Sequence, residues 1–386
     1  MPVTTRTPAP GPRLSRRAFT GALAAAAAAA LAPWRPGAAA EPPPVSARAR
    51  ALYRRALILD CNSAPPGNGP PPLPQSDLDL VRASGVNVVK WSLGGINSGF
   101  AETVAEIGAV QQLLEVHPDY FMQVRVAADL ERAKRSGRLG LILSFESAEM
   151  LGGKLDAFTV FRDLGVRVMQ LSYNRRSPFA AGVMEPQAGG LTPLGREAVA
   201  EMNRLGIAID LSHANAATTS EVLELTRRPP IMTHTGAAAV HAHPRTKTDA
   251  QLRALADKGG VVGIFDLPYL TASPRQPTVA DYLEHLEHVL QVCGADHVGI
   301  GSDVGLEPFD TSAKGMAEFR AEEAQRQQAG LAAPEEDRPP YVEGMNTPRR
   351  LEVVADQLLR RGYPESTVEK VLGGNFARVF AAIWRA

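Results

Sequence analysis

Three hydrophobic runs in this chain each finish at a side chain able to bind a metal. They are LILSFES with Glu146, IAIDLSH with His213 and PIMTHT with His234. Each run is rich in leucine or β-branched residues and is followed by a helical pattern, which reads as a strand feeding a helix. Strand-then-helix units pack as a parallel barrel, with functional side chains at the carboxyl ends of the strands. Ligands far apart in sequence can then meet at one point, which makes metal-dependent hydrolysis the first expectation.

Eight strand candidates support such a barrel: 56–60, 86–91, 140–147, 166–173, 207–213, 230–235, 261–266 and 297–303. Between most of them, Leu, Val and Ala recur at three- and four-residue spacing, for example over 103–115, 195–204, 217–226, 249–257 and 279–292. The expected fold class is α/β, a (β/α)8 TIM barrel of the metal-dependent hydrolase type. Two segments break the pattern. APPGNGPPPLPQS over 64–76 is too rich in Pro and Gly for regular structure. Residues 310–340 are charged, with EEAQRQQAG as a short helix. Both leave the carboxyl ends of strands, so both are expected to shape the mouth of the site, unless they are only tolerated surface insertions.

The first 40 residues are different material. Ser15-Arg16-Arg17-Ala18-Phe19 precedes an alanine-dominated run from Gly21 to Ala32, and Ala38-Ala39-Ala40 follows. A basic start, an apolar middle and small residues before the junction read as an export signal. The paired arginines point to the twin-arginine route. The expected organisation is therefore a signal over 1–40 and one catalytic domain over 41–386, located in the periplasm or secreted. The alanine run is too short to span a bilayer well, and no stable membrane span is expected elsewhere.

Charge excludes one class of partner. Lys plus Arg equals Asp plus Glu at 41 each, and removal of residues 1–40 leaves a net of −5. No basic stripe is present, so nucleic acid is not an expected partner. The two cysteines, Cys61 and Cys293, lie in different barrel units and give no disulfide framework.

Longer stretches carry a resemblance. GLTPLGREAVAEMNRLGIAIDLSHA, MTHTGA, HPRTKTDAQLRALADKGGVVGI, DHVGIGSDVG and RRGYPESTVEKVLGGNFARVF, with FES ahead of GVRVMQLSYN, occur in that order. Over roughly 56–380 the chain resembles the membrane (renal) dipeptidase family of zinc metallopeptidases. The resemblance implies two zinc ions bridged by a glutamate that matches Glu146. It implies His213 and His234 on the second zinc, a carboxylate at Asp303, and Arg245 holding the substrate carboxylate. Homodimers are also common in that family. One carboxylate and two imidazoles make a normal catalytic zinc set. Asp303 would manage the proton of the attacking water.

The departures are as informative. The family's first strand ends in a His-any-Asp pair that holds the other zinc, and here Asn62 and Ala64 stand in those places. An amide oxygen is a poor zinc ligand and a methyl group is none. Cys61 is not expected to substitute, because alternation puts it on the opposite face from Asp60. The expected cofactor is thus one tight zinc at Glu146, His213 and His234, with Asp303 the only other carboxylate of a weak second position. Tyr173 stands at a family histidine that contacts substrate, and can still donate a hydrogen bond. Tyr173 and Asn62 are accordingly expected to touch substrate.

The leading expectation is an exported hydrolase of a dipeptide or related amide, using a metal-activated water. A mononuclear hydrolase of another amide or lactone, and a weakly catalytic binding protein on the same barrel, are the alternatives. Blander roles stay open for single residues: Asp303 as a helix cap, and Arg245 as a tie for its own loop.

Overall fold

The strands are short and mostly buried, because both faces are covered. In chain order they are β1 Leu59–Asp60, β2 Val88–Leu93, β3 Phe121–Gln123, β4 Leu139–Phe145, β5 Val166–Met169, β6 Ala208–Ile209, β7 Ile231–Ala237, β8 Thr246–Lys247, β9 Val261–Ile264 and β10 Val298–Ile300. Every residue of β4, β5, β7 and β9 is buried. The structure is a computed structural model that describes residues 44–67, 69–94 and 98–384. The expected export signal over 1–40 lies outside the described residues. All the described elements fall in the compact unit Ala39–Ala386.

Parallel pairing runs β1-β2-β4-β5-β6 in one sheet and β7-β9-β10 in a second. A parallel bridge between Asp210 and Ile231 joins β6 to β7. At the other seam, the Cys61 amide donates to Ile300 O at 2.8 Å and the Asp303 amide to Asn62 O at 2.7 Å. Eight parallel strands therefore close on themselves, in the order expected of a (β/α)8 barrel. The remaining two, β3 beside β4 and β8 beside β7, are additions to the ring.

Inside the ring, Leu59, Val88, Ile142, Val168, Ala208 and Ile231 pack in one cluster with Phe376, Phe380 and Trp384. Those aromatics come from the terminal helix Asn375–Ile383 and the residue after it. They plug the end of the barrel opposite the site, where Trp384 Nε1 donates to Arg167 O at the start of β5. The larger cluster lies between the outer strand faces and the helices. A packed interior of this kind leaves only the carboxyl ends of the strands to build a site.

The expected helices form, with bounds shifted by at most three residues. That over 249–257 matches its expected bounds and starts in a capping box of Thr248 and Gln251. Two expectations differ from the fold. The short helix expected at EEAQRQQAG is the end of a 16-residue helix, Ala313–Gln328, whose Ser312 cap accepts from the Gly315 amide. Alternation does oppose Cys61 to Asp60, but the barrel interior is on Cys61's side: Cys61 packs with Leu59 and Val88, whereas Asp60 turns outward to Ser302 and Arg350.

Candidate metal centre

Glu146, His213 and His234 each offer a ligand atom, and these atoms lie within 4.8 Å of one another. Each residue sits just past, or at an irregularity in, its strand. Pairing of β7 with β9 slips between Met232 and Thr235, and pairing of β4 with β5 slips between Leu143 and Ser144. Such irregularities re-aim side chains at barrel rims. Beside His234 the barrel is narrow: a Cβ on Gly301 would lie 1.8 Å from Thr233 O, so this position admits only glycine.

The hydrogen bonds around the two imidazoles fix their tautomers. Asn174 Nδ2 donates to Leu331 O, so Asn174 Oδ1 faces His213 and accepts from its Nδ1–H at 2.8 Å. The Thr233 hydroxyl spends its hydrogen on Asp210 Oδ2 at 2.6 Å, so Thr233 Oγ1 accepts from His234 Nδ1–H at 2.8 Å. Both Nε2 atoms are left with lone pairs, and they face each other across 3.0 Å. Burial, followed by the nearby Arg245 charge, pushes both imidazoles well below the ordinary histidine range. Two neutral imidazoles presenting lone pairs to one point form a donor set that needs a cation. The half-buried Glu146 supplies the charge, with Oε2 3.8 Å from His213 Nε2. This set fits a zinc-type ion.

Asp210 anchors the arrangement from beneath. It accepts from the Ser212 and Thr233 amides at 3.0 Å each, and from both hydroxyls at 2.6 Å. One carboxylate thus ties together the strand ends that carry His213 and His234. Neither Asp210 nor Asn174 was singled out by sequence reasoning. The available signal was an acid within an otherwise apolar run, IAID.

Asp303 stands at the junction of the mouth. Three cavities, of about 410, 240 and 200 Å³, share it as a lining residue. Its backbone is left-handed at φ 61°, a conformation that aspartate tolerates better than most residues. Oδ2 lies 3.8 Å from His234 Nε2, and burial together with the Glu146 charge pushes the carboxyl up to about 7. Asn62 reaches both acids, donating to Glu146 Oε1 at 2.9 Å and Asp303 Oδ1 at 2.5 Å.

Tyr173 lines the cavity of about 240 Å³ and stacks on His213 with centroids 4.0 Å apart. Burial pushes its hydroxyl up to about 12, so it stays a donor at neutral pH. Arg245 is buried; Nη1 donates to Ser212 O at 2.8 Å, and Nη2 has no partner among the described residues. The helix Ala313–Gln328 supplies Phe319, Glu322, Glu323 and Arg326 to the same cavity, so the second insertion does shape the mouth. From the first insertion, Ala64 lines the cavity of about 200 Å³. A larger cavity of about 840 Å³, bordered by Arg196, Arg204, Arg227 and Arg228, lies away from these groups and has no acid or imidazole in its lining.

A closed parallel barrel whose strand ends converge two imidazoles and a carboxylate defines the class of metal-dependent hydrolase barrels. Residues 71–321 match the membrane dipeptidase family (peptidase family M19), and the chain belongs to that family of metallopeptidases. The match begins after β1, so this strand and Asn62 and Ala64 just beyond it lie outside the match. The chain is 29% identical over 290 residues to dipeptidase tcpJ of Claviceps purpurea, covering 74% of this chain and 61% of that protein. It therefore spans about three fifths of that relative's length. Among solved structures, an amidohydrolase from Pseudomonas aeruginosa aligns with TM-score 0.77 and 29% identity, over 87% of this chain and 99% of that one. A dipeptidase AC of family M19 aligns with TM-score 0.70 at 23% identity, over 86% and 99%, and shares the fold.

Proposed function

We propose that the protein is an exported dipeptidase-like hydrolase that cleaves a dipeptide or a related short amide with one tightly held zinc ion. The observation that carries this reading is the pair of imidazole lone pairs meeting at 3.0 Å beside Glu146. Membership of the M19 family and the relative named a dipeptidase support the substrate class.

His213, His234 and Glu146 would hold the ion. When bound, it would supply Lewis acidity and lower the pKa of a water molecule. Asp303 borders every cavity of the mouth, and its carboxyl near 7 can take a proton from the attacking water and return it to the leaving amine. Tyr173 would donate to the oxyanion that develops on the scissile carbonyl. Arg245 Nη2 has both its N–H groups unpartnered among the described residues, suited to a substrate carboxylate entering beside Ser212. Asn62 fixes the relative position of the two acids.

The test is metal content per chain after purification without added metal, together with hydrolysis of a dipeptide panel. One zinc per chain with turnover supports the proposal. No bound metal and no turnover with zinc added would leave a binding protein on the same barrel. Export by the twin-arginine route is tested by replacing Arg16 and Arg17 with lysine; the expected result is precursor retained in the cytoplasm.

A further inference from the structure

A lysine is buried where one side of the metal centre lacks ligands. In β2, VVKWSL, the interior parity is shared by Val88 and Lys90, and Val88 belongs to the interior cluster. Lys90 is fully buried, and its Nζ has no hydrogen-bond partner among the described residues. An ammonium group in that setting must be balanced by nearby negative charge. The balancing charge is Glu146, with Oε1 3.7 Å from Lys90 Nζ.

Glu146 is thereby divided. Oε2 faces His213, at 3.8 Å from Nε2, on the side where the imidazole lone pairs meet. Oε1 faces the Asn62 amide, at 2.9 Å, and the Lys90 ammonium. Asp303 is divided in the same sense, with Oδ2 toward His234 and Oδ1 on Asn62. One oxygen of each acid is therefore directed to an imidazole and the other to nitrogen-borne hydrogens. On the Asn62 side, the groups that could coordinate an ion are already spent on donors, and a fixed positive charge repels any arriving cation.

We propose that Lys90 is a built-in cation that takes the place of a second metal: with Asn62 it holds Glu146 Oε1, leaves Oε2 to a single ion, and keeps the other position empty. Lys90 is a positioning residue in this scheme and touches neither the ion nor the substrate. The proposal rests on the single-ion reading above and adds the reason for it.

The test is metal stoichiometry and affinity with Zn²⁺ and Co²⁺, read by elemental analysis, calorimetric titration and the Co²⁺ absorption spectrum. The proteins are the wild type, Lys90→Met, Lys90→Gln, the double variant Asn62→His/Ala64→Asp, and that double variant combined with Lys90→Met. The wild type is expected to bind one ion. The double variant still binds one, because Lys90 remains. The triple variant binds two. Lys90→Met and Lys90→Gln still bind one ion, because Asn62 and Ala64 add no ligand, and bind it at least about tenfold more tightly, since the positive charge beside Glu146 is gone while Asn62 still holds Oε1; the glutamine variant guards against a folding defect of the methionine one. Two ions in the double variant would overturn the role of Lys90 while leaving the single-ion reading of the wild type intact. Two ions in the wild type would overturn the single-ion reading itself. Unchanged affinity in both folded Lys90 variants would overturn the positioning role.

Discussion

Asn62 grips Asp303 twice: its carbonyl accepts the Asp303 amide at 2.7 Å, and its side-chain amide donates to Asp303 Oδ1 at 2.5 Å. The first contact helps hold Asp303 in its left-handed conformation at the barrel seam, and the second orients the carboxylate. The remaining amide hydrogen goes to Glu146. Asn62→Leu keeps the volume and removes both side-chain donors. Two acids would then face one another without their shared partner, at a stability cost of roughly 1–3 kcal/mol. We expect a lower melting temperature and at least about a tenfold fall in kcat/KM. Wild-type values for both quantities would show that this amide does no more than fill space.

Metal removal should destabilise the fold, because an ion bound only by the native arrangement of Glu146, His213 and His234 adds its binding free energy to folding. At an ion concentration about a hundredfold above Kd, that contribution is roughly 2.7 kcal/mol. In a chain of this size it corresponds to a drop of about 4 °C in Tm on chelation. His234→Ala should melt at one temperature with or without chelator. A chelator shift that survives this substitution would place the ion elsewhere.

Asp210 acts through hydrogen bonds to Ser212 and Thr233, and Thr233 in turn fixes the tautomer of His234. Asp210→Asn replaces one accepting oxygen with an N–H group that confronts these donors. Metal affinity should fall by about 10–100-fold, the usual cost of losing support behind a ligand. Calorimetric titration of the folded variant measures it. Unchanged affinity would mean that strand geometry alone aims the two histidines.

The barrel and the three residues gathered at its candidate metal centre were legible in the sequence for a simple reason. Strands covered on both faces must be continuously apolar, so a polar residue ending such a run stands out, and Glu146, His213 and His234 did so. The absent ligands at Asn62 and Ala64 were legible because the first strand could be set against a family pattern. Lys90, Asn174 and Asp210 were not, since their importance depends on which face of a short strand points inward and on partners distant in sequence. Cys61 makes the same point: alternation separated it from Asp60, but closure of the ring at β1 and β10 decided which of the two faces the interior. The additions β3 and β8, of three and two residues, are too short to leave a periodic signal.

A pH dependence of stability should arise at Asp266, which follows β9. Burial pushes its carboxyl up to about 8, against an ordinary value near 4. Arg350 Nε, 3.5 Å from Oδ2, pulls the other way, but neither Asp266 oxygen accepts a hydrogen bond among the described residues and burial dominates. Arg350 is instead shared with Asp60 and the Ser302 hydroxyl, which Nη2 reaches at 3.0 Å. Between about pH 4 and pH 8 the native chain keeps a proton at Asp266 that the unfolded chain has released. Stability from this group is therefore fullest at the acid end of the window and falls as pH rises, by up to roughly 1 kcal/mol per pH unit. Asp266→Asn mimics the protonated form and has no proton to lose. Its stability relative to the wild type should grow as pH rises across the window, and flatten above about pH 8. Urea denaturation of both proteins at several pH values measures the difference; parallel curves would mean that Arg350 keeps Asp266 ionised in the native state throughout.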